Sequence, residues 1–258
     1  MPNDLEKPKI VNSDMPDTAL GFVFAMPIES GGVFDKMTER KITKGNGTIF
    51  HTGIFAEQQT AMIESGIGSE NAGKAAEILL DVFAPKKIIS AGFAGGLSKR
   101  LKRYNVCFPE MLIRKSDGAM LDVSQPVPQL FYGDLPIENK LALLTADEAV
   151  FAPKEKSSLQ KETGAELVDM ETFAVADVCR KRNVPFLSVR IVLDTAEQEF
   201  PKDILRIVQN ADKSVFRLTG SVLGSLFRRP SSMLDLWSLK EQTLQAADKL
   251  AKHLYREC

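Results

Sequence analysis

A chain of 258 residues with 33 Lys and Arg against 34 Asp and Glu, formal charge −1, carries no basic field to attract nucleic acid. It is long enough to bury a large core without disulfides, and its three cysteines (Cys107, Cys179 and Cys258) lack CxxC spacing, which suits a reducing cytoplasm and gives no metal signature. With only His51 and His253, its chemistry should run on carboxylates, away from a Ser-His-Asp triad or a His-rich metal site, and no apolar run reaches bilayer-spanning length.

In chain order, residues 1–18 are polar and acidic, without a hydrophobic signal core, and read as a disordered tail. "ALGFVFAM" (19–26) is a continuous apolar run ended by Pro27, a buried strand. Asn46-Gly47 between two β-rich runs signals a hairpin, and "QQTAMIESGIG" adds a third strand to it. Ala72, Ala75, Ala76, Leu79, Leu80 and Phe83 recur at helical spacing, with Ser69 as the expected N-cap and Pro85 as the stop. "KKIISAGFAGGL" reads as a short strand entering a glycine-rich turn, and "YNVCFPEMLI" and "KLALLTAD" as two further strands. "APKEKSSLQKETG" predicts a helix closed by Gly164; "AELV" a strand; "METFAVADVCRKRN" a helix; "VPFLSVRIVLD" a buried strand ending at Asp194. From about Pro201 the pattern is helical, with a break at Pro230. Strands alternating with helices indicate an α/β fold: three αβα layers around a central mixed β-sheet. No repeat or linker divides residues 19–258, which are read as a single domain with a helical C-terminal extension.

Polar or glycine-rich clusters fall where predicted strands end, and in open α/β sheets ligands bind at the carboxyl ends of strands. Asp194 follows a run that should be buried, and burial raises a carboxyl pKa, as suits a general acid; an N-cap for "DTAEQ" is the plain alternative. Glu29, after "AMPI", reads as a general base at a strand end or as an exposed loop acid. In "SGIGSENAG", Gly66 and Gly68 allow positive φ before a helix N-terminus, without the third glycine of a dinucleotide fingerprint or a Walker lysine. "SAGFAGG" brings Gly92, Gly95 and Gly96 together, either to let backbone approach a ligand or as a structural turn. In "VDMETFAVADVC", Glu171 beside Met170 reads as an acceptor for ribose hydroxyls or as an acid favoured by the helix dipole.

The ordered series "AMPIES", "SGIGSENAG", "SAGFAGGL", "VDMETFAVADVC" and "VRIVLDTAE" resembles the purine nucleoside phosphorylase family, and within it the 5′-methylthioadenosine/S-adenosylhomocysteine nucleosidases. The likeness covers about residues 19–198; the V-x-M-E helix start and the aspartate ending the "VR" strand are its specific parts. It implies that Asp194 protonates the purine at N7, so that the base leaves neutral from a sugar with oxocarbenium character. It implies further that Glu171 accepts the ribose 2′ and 3′ hydroxyls, that Met170 packs on the sugar, and that Glu29 activates water. Gly92 and Phe93 would lie by the sugar, and Phe151 would stack on the base.

The family's phosphorylases carry an arginine shortly before the glycine turn and a serine inside it; here Ser90 and Phe93 fall at those places, which favours water over phosphate. Lys99, Arg100 and Arg114 are left unassigned, so a rearranged phosphate site stays open, as does a non-catalytic nucleoside-binding protein, motivated by Phe93 and by Leu193 in place of a serine before the acid. The resemblance implies a small-molecule nucleoside substrate, no cofactor, no nucleic acid, a cytoplasmic location, and a homodimer or larger homo-oligomer. "KSVFRLTGSVLGSLFRR" (213–229) lines apolar residues along one helical side with arginines nearby, a helix packed on the sheet or on a partner subunit. Its sharper reading, a peripheral membrane contact, fits the family's hopanoid-associated branch.

Overall fold

A computed structural model describes residues 17–45, 48–124, 141–198 and 230–258. The strands are β1 Leu20–Phe24, β2 Thr38–Gly45, β3 Thr48–Phe55, β4 Gln58–Glu64, β5 Lys87–Gly96, β6 Val106–Cys107, β7 Met111–Arg114, β8 Met120–Asp122, β9 Ala142–Thr145, β10 Leu167–Asp169 and β11 Phe186–Asp194. The helices are α1 Pro27–Lys36, α2 Ser69–Phe83, α3 Pro153–Thr163, α4 Thr172–Lys181 and α5 Pro230–Glu257. The strands form one mixed sheet in the order β2-β3-β4-β1-β5-β10-β9-β7-β8, with β11 paired to both β5 and β6.

Side chains alternate across the sheet and so divide the core into layers. Val23, Ile88, Ala94 and Val192 pack with Ala76 and Leu79 of α2 and Val178 of α4. Phe22, Phe24, Ile89, Ala91, Val189 and Ile191 face the other way, onto Val33 of α1 and Ala246, Leu250 and Leu254 of α5. This is the expected αβα sandwich. Phe22 and Phe24 are fully buried, and each contributes roughly 1.5–3 kcal/mol of apolar burial.

Several expectations hold in detail. β2 and β3 pair antiparallel up to Gly45 opposite Thr48, as a two-residue Asn46-Gly47 turn requires, although the turn itself lies outside the described residues. The six apolar positions of α2 are its buried ones, and α3 ends on Gly164 at φ 71°. Others change. The stretch 27–36, where no helix was expected and Glu29 was read as a strand-end or loop acid, is α1, with Pro27 in its first turn. Gly31 and Gly32 disguised it, because glycine lowers helix propensity. Gly32 is small for a reason: a Cβ there would lie 2.9 Å from the Ala251 Cβ and 3.1 Å from the Ala247 carbonyl oxygen of α5. Gly32→Leu should therefore separate the two helices and cost about 1–3 kcal/mol, read as a lower midpoint in chemical denaturation. "YNVCFPEMLI" is two strands, β6 and β7, separated around Pro109. α2 is capped by Gly68 rather than Ser69, which is its first residue.

Residues 1–16 of the expected tail and the arginine-flanked segment 213–229 lie outside the described residues. At the tail's boundary Thr18 is buried, and its carbonyl accepts from the Lys86 N–H at 3.2 Å. Among the described residues no helix is long and apolar enough to cross a membrane.

Candidate active site

The site arises where β5 changes neighbours. Along one edge β5 pairs with parallel β1 from Lys87 to Ser90. On the same path it then pairs with antiparallel β10 at Gly95 and Gly96. Between them, residues 91–94 lack a ladder partner on that edge among the described strands, and backbone N–H groups there must bond elsewhere. The ends of β1 and β10 approach each other across this gap, each followed by a helix, α1 and α4. The result is a switch-point crevice of the kind that receives ligands in α/β sheets.

Glu29 fills the gap from the first turn of α1. Its Oε1 accepts from the Phe93 N–H at 2.8 Å, and its Oε2 from the N–H groups of Ala25 and Met26 at 3.0 and 2.9 Å. It is not an exposed loop acid but is 3% exposed. Burial pushes its carboxyl above the usual range, while the three N–H donors and the Arg190 guanidinium pull it back. The glycines of "SAGFAGG" are not a turn. β5 runs through Gly96, and none of the three has positive φ. They are small because other groups come close. A Cβ on Gly92 would sit 2.6 Å from Glu29 Oε1, and one on Gly95 would lie 3.2 Å from Val168 Cγ1 and 3.4 Å from Asp194 Oδ1.

Glu171 is the N-cap residue of α4, but its side chain makes no bond to the helix. Its Oε1 accepts from the N–H of Gly68, at the start of α2, at 2.8 Å, and its Oε2 from Met170 N–H at 3.2 Å. Ser69 donates to the Met170 carbonyl at 2.9 Å, tying α2 to the same junction. Gly66 and Gly68, at φ 79° and 97°, make the turn that aims the Gly68 N–H. The acid that caps α4 is Asp169, which accepts from the Thr172 N–H at 3.0 Å. Burial first, then the charge of Asp169 and that of Glu29, push the Glu171 carboxyl up to about 8.

That shift has a stability consequence. The folded carboxyl stays protonated between its ordinary 4.5 and about 8, a range in which the unfolded chain has released the proton. Its contribution is therefore fully present below 4.5 and lost as pH rises through 8. Glu171→Gln, with no charge to desolvate, should gain thermal stability over the wild type as pH rises from 5 to 9, measured as the gap between their melting temperatures. A gap independent of pH would contradict the assignment.

Two residues that the sequence did not single out complete the site. Buried Arg190 runs beneath it: Nε donates to Asp169 Oδ2 at 3.1 Å, Nη1 to the Ser90 carbonyl at 2.7 Å, and Nη2 to Ser90 Oγ at 2.7 Å. Asp169 is satisfied further by Thr145 Oγ1 at 2.8 Å and by the Thr172 hydroxyl. Lys156 of α3, wholly buried, pairs with Asp194 Oδ2 and donates to the Thr195 carbonyl at 2.8 Å. Asp194 is thus the last residue of β11 and ion-paired, not an unpaired acid and not a helix cap. Burial raises its pKa, and Lys156 and then Arg103 oppose the rise. In the sequence Lys156 is one of several lysines in a polar helix and Arg190 a cation inside an apolar strand; only the odd polarity of the latter was a usable signal.

The structure brings Glu29, Gly92, Phe93, Met170 and Glu171 to one crevice, with Asp194 at the neighbouring end of β5 against Gly95. Phe93 and Met170 are partly buried. Phe151, also partly buried, lies in the segment leading into α3, the helix whose Lys156 holds Asp194. The cations left unassigned are engaged elsewhere: Lys99 with Glu197 at 2.5 Å, Arg100 with Glu166, and Arg114 with Asp117 through two bonds of 2.8 and 2.6 Å.

A family model described as the phosphorylase superfamily matches residues 19–138 and 136–223. The chain is 25% identical over 223 residues to the 5′-methylthioadenosine/S-adenosylhomocysteine nucleosidase of Oceanobacillus iheyensis, covering 77% of this chain and 96% of that one. It is 26% identical over 238 residues to the same-named protein of Buchnera aphidicola, covering 83% and 93%. Among solved structures, the 5′-methylthioadenosine/S-adenosyl homocysteine nucleosidase of Campylobacter jejuni matches with a TM-score of 0.70 at 15% identity, over 93% of this chain and 98% of that one. Futalosine hydrolase of Helicobacter pylori matches with a TM-score of 0.68 at 19% identity, over 92% and 96%. At such identities the structural likeness speaks to the fold.

Proposed function

Since the chain belongs to the phosphorylase superfamily, we propose that it is a nucleosidase hydrolysing the N-glycosidic bond of a 5′-modified adenosine to release adenine. The observation that carries this reading is the meeting of Glu29 and Glu171 at the gap in β5, with Asp194 at the end of the adjoining strand. Three carboxyls in three environments match three tasks. Asp194, buried and biased toward its neutral form, gives a proton to purine N7. Glu171 accepts the ribose hydroxyls, whose hydrogen bonds favour its charged form once the sugar is bound. Glu29, held by three N–H donors, takes the proton of the attacking water. Met170 and Phe93 bound the sugar, Gly92 leaves room for Glu29, and Phe151 stacks on the base.

As C1′–N9 breaks, its electron pair passes to the purine and the N7 proton makes that base a neutral leaving group. The positive charge developing on the sugar lies among carboxylates, which stabilise it. Water supplies the new C1′–O bond and its proton goes to Glu29.

Water rather than phosphate follows from the charge around the gap. Among the described residues the guanidinium at the gap, Arg190, is already committed to Asp169 and Ser90, and Lys99, Arg100 and Arg114 are paired elsewhere. A phosphate dianion would find no uncommitted cation among these described residues to take it. The reading extends to a small-molecule metabolic enzyme of the cytoplasm acting as a homo-oligomer; light scattering tests the assembly.

Purified protein incubated with 5′-methylthioadenosine, S-adenosylhomocysteine, adenosine and inosine, with products separated by chromatography, tests the substrate class. Adenine released from the 5′-thio nucleosides is the expected result. No base released from any of the four would count against the proposal.

A further inference from the structure

A lysine with no exposed surface is costly to bury as a cation, so its position calls for a reason. Lys156 is 0% exposed and holds two acceptors, Asp194 Oδ2 and the Thr195 carbonyl. α3 places it there from the first turn and a half of the helix, while the rest of α3 is largely polar, with Leu159 as its buried apolar anchor. The ammonium occupies one oxygen of the carboxyl. The other, Oδ1, takes no donor from another described residue; both oxygens lie over Gly95, where a Cβ would come within 3.4 Å of Oδ1 and 3.5 Å of Oδ2. The carboxyl is therefore clamped on one side and open on the other. The charged groups that face it are Lys156 from α3 and Arg103 from the segment after β5, whose guanidinium donates to the Leu193 carbonyl at 3.1 Å and to Gln198.

We propose that Lys156 is a positioning residue that fixes Oδ1 of Asp194 toward the leaving base and stabilises the carboxylate formed when that oxygen gives up its proton. This rests on the reading of Asp194 as the acid. Asp194 enters the step neutral; its Oδ1 proton moves to N7 as C1′–N9 breaks, and the carboxylate left behind meets the ammonium already bonded at Oδ2. Charge is conserved, no other reactant is needed, and the lysine keeps its own protons. Lys156 makes Asp194 a stronger acid than burial alone would leave it, at the cost of restricting the pH range over which the acid stays protonated.

The test is the pH profile of kcat/KM per folded protein for the wild type, Lys156→Gln, Lys156→Met, Lys156→Arg and Asp194→Asn, with 5′-methylthioadenosine as substrate. Glutamine removes the charge and keeps a two-donor NH₂ group, on a side chain one bond shorter. Loss of an adjacent opposite charge raises a carboxyl pKa by about 1–3 units, so the alkaline limb of Lys156→Gln should move up by that amount. Its plateau should fall roughly tenfold, as the acid weakens. Lys156→Met should show the same limb shift with a larger plateau loss, and Lys156→Arg should keep the wild-type limb. If Lys156→Met does not fold, Lys156→Gln carries the test.

A Lys156→Gln profile that superposes on the wild type, or a lower plateau with an unmoved limb, overturns the proposal and leaves the lysine a purely structural group. Asp194→Asn separates the two claims. Its residual turnover should lack the alkaline limb. Full activity in that variant would instead remove Asp194 as the acid, whatever Lys156 does.

Discussion

Asp194→Asn should lower kcat by about 10²–10⁴-fold, the range that a positioned general acid supplies. The amide matches the carboxyl in shape and can still accept from Lys156, but it has no acidic proton to place on N7. A stability loss accompanies it. Lys156 is wholly buried and, at pH values where the Asp194 carboxyl is ionised, loses its counter-charge; breaking a buried pair from one side then costs about 3–5 kcal/mol. The double variant Asp194→Asn/Lys156→Met should recover most of that stability and none of the turnover. Chemical denaturation beside steady-state kinetics separates the two effects. Recovery of activity in the double variant would contradict the acid's role.

Glu29→Gln should cost turnover on a similar scale, roughly 10²–10⁴-fold, because the carboxyl that α1 turns into the gap is lost. The structural reason is specific. Glu29 offers two oxygens to three N–H donors, those of Phe93, Ala25 and Met26. A glutamine offers one oxygen and turns an NH₂ group toward the remaining donor or donors, leaving buried polar groups unsatisfied at about 1–3 kcal/mol. Gly92→Ala reaches the same site with the acid retained: its Cβ would sit 2.6 Å from Glu29 Oε1, so the carboxylate must leave the Phe93 N–H. It should lower kcat more than it raises KM. Wild-type kinetics in Gly92→Ala would show that the position of Glu29 is immaterial to the reaction.

What could be read from the sequence depended on whether a residue's role was local. α2, α3 and the hairpin were legible because their signals are periodicity, caps and turn residues, all short-range. α1 was not, because Gly32 answers to α5, more than two hundred residues away. The glycines of β5 looked like a turn for the same reason. They accommodate side chains from α1, β10 and β11, and neither pattern nor propensity carries that information. Glu171 and Asp194 were found as acids in unexpected places, yet their partners were not. Gly68 N–H reaches Glu171 across 103 positions and Lys156 reaches Asp194 across 38. The division of labour at the start of α4, with Asp169 capping the helix and Glu171 turned toward α2, needed coordinates, since both acids sit at positions a helix dipole would welcome.

At the gap in β5, water rather than phosphate should attack C1′. This is tested most directly by following adenine release from 5′-methylthioadenosine in phosphate-free and phosphate-containing buffer, with phosphorus NMR to detect a sugar phosphate. Equal rates in the two buffers and no sugar phosphate are the expected result. Turnover only with phosphate, accompanied by a 5-methylthioribose 1-phosphate signal, would make the protein a phosphorylase and return Glu29 to a structural role.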